Sequence, residues 1–191
     1  MFGGMRMSNL RIKPVERVAL CGLLTSLMLI LGYFESMLPA LPGVVGAKLG
    51  LANSVLLYAL YTVGTGTSFV LMVLKVLLSG VLCGGVSAML YSMAGGLLSL
   101  VCMALVKRIK GAGMVGVSMV GAVSHNAGQV LMAMLILQTT ALLYYMAFLL
   151  LIGILTGLLT GTAAMQVFKH LGARGATAIG AQPKTAEAGE P

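Results

Sequence analysis

Hydrophobic residues run through this chain in long blocks rather than alternating or recurring on one helical face. Six blocks, residues 18–38, 49–63, 67–83, 86–106, 114–137 and 140–168, are separated by glycine, proline or cation clusters. A helix crosses a bilayer with ~20 consecutive apolar residues, and most of the blocks meet that length. The second and third are shorter, which leaves them tilted, interrupted or packed inside a bundle. Gly64 with Gly66, and Gly84 with Gly85, mark turns between neighbours. The pattern predicts an all-α, polytopic membrane protein: a basic segment at 1–17, a bundle of six transmembrane helices at 18–171, and a tail at 172–191. The tail is rich in Ala, Gly and Thr and is expected to be disordered.

Composition removes the soluble alternatives. Of 191 residues, 59% are hydrophobic and 8% charged, and mean hydropathy is +1.05. A water-facing domain carries about 25% charged residues. The 26 Gly and 15 Met suit close helix approach and soft gap-filling. Cys21, Cys83 and Cys102 lie singly in apolar runs without metal-type spacing and read as packing residues.

Charge fixes the expected orientation. Twelve cations stand against four acids, all of them Glu. Arg6, Arg11, Lys13 and Arg17 precede the first block; Lys107, Arg108 and Lys110 follow the fourth; Lys169, Arg174 and Lys184 follow the sixth. Only Lys48 falls on the other side, and Lys75 lies within a span. The positive-inside bias then places both termini in the cytoplasm. Cations at helix ends meet anionic lipid headgroups, and without clustered base contacts or stacking aromatics no nucleic-acid partner is expected. The first block exceeds the length of a leader's apolar core and ends at residues 35–39 without a small-residue cleavage site, so it is expected to persist as a span.

Ionisable groups cost ~2.5–3.5 kcal/mol at mid-membrane on insertion scales, so each polar residue in a span needs a reason. Glu35 sits at the outer end of the first block, before Pro39 and Pro42, and Lys48 closes the loop that follows. They read either as a surface acid with a snorkelling lysine or as an outer lid that meets a polar solute. Lys75, with Ser79 one turn on, reads either as a functional cation facing the bundle interior or as the salt-bridge partner of Glu35. His125 and Gln129 share one face of the fifth block, and Asn126 lies ~100° around. Three such side chains in five residues suit a solute site, with interhelical hydrogen bonding as the alternative. Tyr91-Ser92 stand near the outer end of the fourth block. Gly153, Gly157 and Gly161, with Thr156 and Thr160, form a small-residue stripe read as helix packing.

Catalysis by this chain is not expected. There is no P-loop motif, no Asp for a paired-aspartate Mg²⁺ site, and two His leave little for acid–base work or metal ligation. No cofactor and no metal are expected.

The stretches E-S-M-L-P-A-L-P-G-V-V-G-A-K-L-G-L-A-N from Glu35 to Asn53, Leu90-Tyr91-Ser92, Ser124-His125-Asn126-Ala127-Gly128-Gln129 and the glycine stripe resemble the Gx transporter family, also catalogued as heptaprenyl diphosphate synthase component I. That family is similar to the S components of energy-coupling factor transporters. The resemblance covers about residues 17–171. It implies a multi-pass protein of the bacterial plasma membrane that captures a small solute from outside, in a cavity beneath the first loop. The residues read above as candidates for that site, with Asn53, are Glu35, Lys48, Asn53, Lys75, Tyr91, His125, Asn126 and Gln129. The implied partners are a transmembrane coupling subunit and cytoplasmic ATPases, docking on small residues of the first helix for which Gly22 and Ser26 are the candidates. The alternative family name implies instead a non-catalytic membrane subunit beside a prenyl synthase.

Overall fold

The computed structural model describes residues 14–37 and 50–178. They form six helices: α1 Pro14–Met37, α2 Leu51–Thr62, α3 Thr65–Ser79, α4 Gly85–Val106, α5 Met114–Leu137 and α6 Leu142–Ala178. A π-helical turn, Gly80–Gly84, joins α3 to α4. The loop with Lys48, most of the expected basic segment and the end of the expected tail lie outside the described residues. Helix α6 continues to Ala178, so it takes in the first residues of that tail.

Local chemistry explains the boundaries. Pro14 opens α1, where its missing N–H costs no helical hydrogen bond, and Glu16 in the first turn faces the positive end of the helix dipole. At the expected turns, Gly64 (φ 92°) and Gly85 (φ 68°) take backbone angles that side-chain-bearing residues rarely adopt.

Contacts at the helix ends fix the directions of the helices. Arg17 donates to the Val63 carbonyl at 3.3 Å and to Thr67 Oγ1 at 2.8 Å, so α1 begins beside the α2–α3 turn. Lys107 Nζ donates to the Leu60 carbonyl at 2.6 Å and lies 4.6 Å from the centre of the Tyr61 ring. Phe168 stands edge-on to Tyr58 and Tyr61, with ring centres 6.1 and 6.2 Å apart. At the opposite end the Glu35 carboxylate accepts the Gly50 N–H. The helices therefore alternate in direction, and Arg17, Lys107, Arg108, Lys110 and Lys169 gather at one end. Lys75 lies away from them.

Helix α2 is one of the two blocks expected to be short, and of the alternatives for it, packing inside the bundle is the one observed. Among the described residues, five helical stretches are long and apolar enough to cross a bilayer: α1, Thr65–Leu82, α4, α5 and Leu142–His170. Helix α2 has 12 residues, about 18 Å at 1.5 Å per residue, against a hydrocarbon core of about 30 Å. It is enclosed instead, with Ala52, Val55, Leu56, Leu57, Ala59 and Leu60 buried and α1, α3, α5 and α6 around it. No basic residue stands in its last turn; Arg17 and Lys107 reach in from α1 and α4 to meet its terminal carbonyls. Cations there satisfy orphan acceptors and the negative end of the helix dipole together.

The outward faces carry large apolar side chains, among them Leu23, Phe34, Val70, Leu82, Val101, Leu135 and Leu155. Such a surface is a liability in water and the required one in lipid. Inside, α5 packs against α6 along the glycine stripe: a Cβ added at Gly157 would stand 2.6 Å from the Met119 Cα, and one at Gly161 2.7 Å from the Ser118 Cβ. Ser118 and Thr160 share a 3.3 Å hydrogen bond across the same seam.

Because the Met119 backbone cannot yield, Gly157→Ala is expected to destabilise the purified protein by about 1–3 kcal/mol. Gly22→Ala, where an added Cβ meets nothing within 4 Å, is expected to hold or raise the unfolding temperature, because Ala is the better helix former. Thermal unfolding of the two variants in one detergent checks the contrast.

Candidate functional site

Polar side chains from several helices meet in one place. A cavity of about 40 Å³ is lined by Glu35 of α1, Gly50 and Asn53 at the entry to α2, Lys75 of α3, Ser92 of α4, His125, Asn126 and Gln129 of α5, and Thr156 of α6. All six helices therefore contribute to its wall or its rim. A smaller hollow of about 10 Å³ adjoins it, sharing Asn53, Lys75, Ser92 and His125 and floored by Met28, Leu56, Met72 and Val76. A buried water needs ~10–15 Å³ on this measure. The larger cavity thus has room for about three waters, or for the polar part of a small solute.

Close approach of α4 and α5 positions the α5 side chains. A Cβ added at Gly128 would lie 2.8 Å from the Ala94 carbonyl oxygen, and one at Gly95 would lie 2.7 Å from both Gln129 Cγ and the His125 carbonyl oxygen. The backbones touch there, and His125 and Gln129 lean past α4 into the cavity. Asn126, on the neighbouring face, is buried and donates from Nδ2 to the Leu149 carbonyl of α6 at 2.9 Å. Its amide nitrogen is an interhelical tie.

The two charges enter from α1 and α3. The carboxylate of Glu35 accepts the N–H of Gly50, which precedes α2 and has no side chain of its own to cap that helix. Glu35 thus supplies from α1 the acceptor for the N-cap N–H that a Glu or Gln at the third helical position would provide in a capping box. Lys75 Cε lies 3.9 Å from the position a Cβ would take on Gly32, about one turn before Glu35. The end of the lysine side chain therefore lies against α1, about one turn from Glu35. Both side chains are half-buried.

Six of the eight candidates read from the sequence, Glu35, Asn53, Lys75, His125, Asn126 and Gln129, line the cavity. Lys48 lies outside the described residues. Tyr91 lines neither hollow; its neighbour Ser92 does. Ser92 continues the buried row of Gly96, Ser99 and Met103, whose spacing puts it on the inward face. Thr156 was legible only as part of the α6 packing stripe, yet one turn after Gly153 it reaches the same cavity. Gly22 and Ser26 are exposed on α1, with Ser26 Oγ donating to the Gly22 carbonyl at 3.0 Å. Among the described residues, no three His, Cys, Asp or Glu side chains gather as a metal-ion set.

The family described as heptaprenyl diphosphate synthase component I matches residues 24–167, and the chain belongs to that family. The matched range runs from within α1 to within α6 and includes every residue named above as lining the cavity. No curated protein and no solved structure matches the chain.

Asn126→Leu keeps the heavy-atom count and branching of the side chain and removes the tie to Leu149. It is expected to cost about 0.6–2 kcal/mol, the range of interhelical hydrogen bonds in lipid. Denaturant unfolding in detergent measures it, and a variant as stable as the wild type would mean that the tie contributes nothing.

Proposed function

We propose that this family member is the solute-capturing membrane subunit of an uptake transporter of the energy-coupling factor type. The observation that carries this reading is the convergence of polar side chains from all six helices on one cavity, in the part of the bundle away from the basic end. Under the positive-inside bias the basic end faces the cytoplasm. The cavity then lies in the outer half of the membrane, where a solute arrives. Ionisable residues inside a bundle that line a hollow fit a substrate path better than a packing role.

The chain carries no P-loop motif, so on this reading its energy comes from partners: a transmembrane coupling subunit and cytoplasmic ATPases. The open Gly22–Ser26 face of α1 offers helix-to-helix contact of the kind small residues allow.

The family's own description favours a second reading, a non-catalytic membrane subunit associated with heptaprenyl diphosphate synthesis. On that reading the chemistry belongs to the partner. A cavity of about 40 Å³ cannot enclose a chain of seven isoprene units, and the sequence has no Asp to hold Mg²⁺ on a diphosphate.

Affinity purification of the tagged full-length chain from its native membranes distinguishes the two. Co-purification of a second multi-span protein with nucleotide-binding subunits is expected. A soluble prenyl synthase recovered in their place would overturn the transport reading.

A further inference from the structure

The six helices are held together in two different ways. Within α4, α5 and α6 the contacts reach backbone. An added Cβ would stand 2.7 Å from the His125 carbonyl oxygen at Gly95, 2.8 Å from the Ala94 carbonyl oxygen at Gly128 and 2.6 Å from the Met119 Cα at Gly157. Ser99 Oγ donates to the Gly121 carbonyl at 2.8 Å and Asn126 Nδ2 to the Leu149 carbonyl at 2.9 Å, so hydrogen bonds cross both seams. At such contacts no side chain can swing aside. The glycines of α1 and α3 make no comparable approach. A Cβ at Gly22 or Gly66 meets nothing within 4 Å, and one at Gly32 meets the flexible end of Lys75 at 3.9 Å. Helix α1 packs against α2 and α3 and is carried with them.

The boundary between these two units is made of side chains. Met72 of α3 lies on Gly96 of α4, its Sδ 2.9 Å from the position of an added Cβ, and a thioether adapts its shape readily. Firm ties stand at the basic end, where Lys107 of α4 bonds the Leu60 carbonyl beside the Tyr61 ring, and Phe168 of α6 meets Tyr58 and Tyr61. At the other end the chain passes from α3 to α4 through the π-helical turn Gly80–Gly84 and then Gly85 at φ 68°, where glycine leaves the backbone free to rotate. The cavity straddles the boundary: Asn53 and Lys75 stand on one side of it, Ser92, His125 and Gln129 on the other. With room for about three waters, it admits a larger solute only if one wall moves.

We infer that α4, α5 and α6 form a rigid unit against which α1, α2 and α3 swing together, pivoting at the basic end and at the α3–α4 turn, so that the cavity opens between the outer ends of α1 and α6. Admission of a solute by this motion rests on the capture reading above; the motion itself does not, and its test uses no solute.

Spin labels are attached in pairs to the full-length protein in lipid nanodiscs, through p-acetylphenylalanine at exposed positions, so that the native cysteines stay in place. Double electron–electron resonance then gives the distance distributions. Phe34 with Tyr144 spans the two units at the outer end, Val18 with Val167 spans them at the basic end, and Val86 with Tyr144 lies within the rigid unit. The Phe34–Tyr144 distribution is expected to be about twice as wide as the other two. Lys107→Met, which removes the tie to Leu60, is expected to widen Val18–Val167 and leave Val86–Tyr144 unchanged; Phe168→Leu gives the same reading if Lys107→Met fails to fold. Equal widths for the three wild-type pairs would mean that the bundle moves as one body and would overturn the inference. A Val86–Tyr144 distribution as wide as Phe34–Tyr144 would overturn the rigid unit, and a Val18–Val167 distribution wider than both would overturn the pivot. An unchanged Val18–Val167 width in both variants would also overturn the pivot. Each of these failures leaves the capture reading standing, because no solute is present.

Discussion

A Cβ at Gly128 would stand 2.8 Å from the Ala94 carbonyl oxygen, and one at Gly157 would stand 2.6 Å from the Met119 Cα. Helix α5 is thus held by backbone contact on two sides, against α4 and against α6. In lipid there is little hydrophobic force to draw helices together, so association depends on this closeness and on hydrogen bonds across it. The rest of the interior follows from that constraint. With α4 and α6 so near, the polar side chains of α5 reach a neighbouring backbone, as Asn126 does, or enter the space where the helices diverge, as His125 and Gln129 do. The cavity is the space left between helices whose separation the glycines have already set.

Helix α2 links the cavity to the basic end of the bundle. Its entry, with Gly50 and Asn53, forms part of the cavity wall, and its exit is met by Arg17 and Lys107. A helix this short cannot present both ends to the headgroups, so each end borrows partners from other helices: Glu35 for the N–H of Gly50, two cations for the last carbonyls. Cations that a charge count assigns only to membrane orientation therefore also hold the helix that carries Asn53.

The class of the molecule and its helices were legible in the sequence because apolar block length and glycine punctuation report directly on membrane spans. The polar cluster at 125–129 was legible because amides and an imidazole in hydrocarbon demand partners. What the sequence did not reveal is which partner each residue takes. Asn126 lies only one residue from His125, but the helix turn sends it to Leu149 of α6. Tyr91 is the candidate that the sequence offers, while its neighbour Ser92 lines the cavity. The short length of α2 was visible as a shorter block, but its enclosure depends on Arg17 and Lys107, 46 and 47 residues away in the chain. Contacts at that separation leave no local signature.

The central claim is that the six-helix interior holds a solute, and native mass spectrometry tests it most directly. The full-length protein, purified from membranes in a mild detergent, would be released in the gas phase beside Gln129→Leu prepared identically. The expected result is a small non-covalent adduct on the wild type that is reduced or lost in the variant. Bare protein mass in both, from preparations that remain folded, would contradict the account.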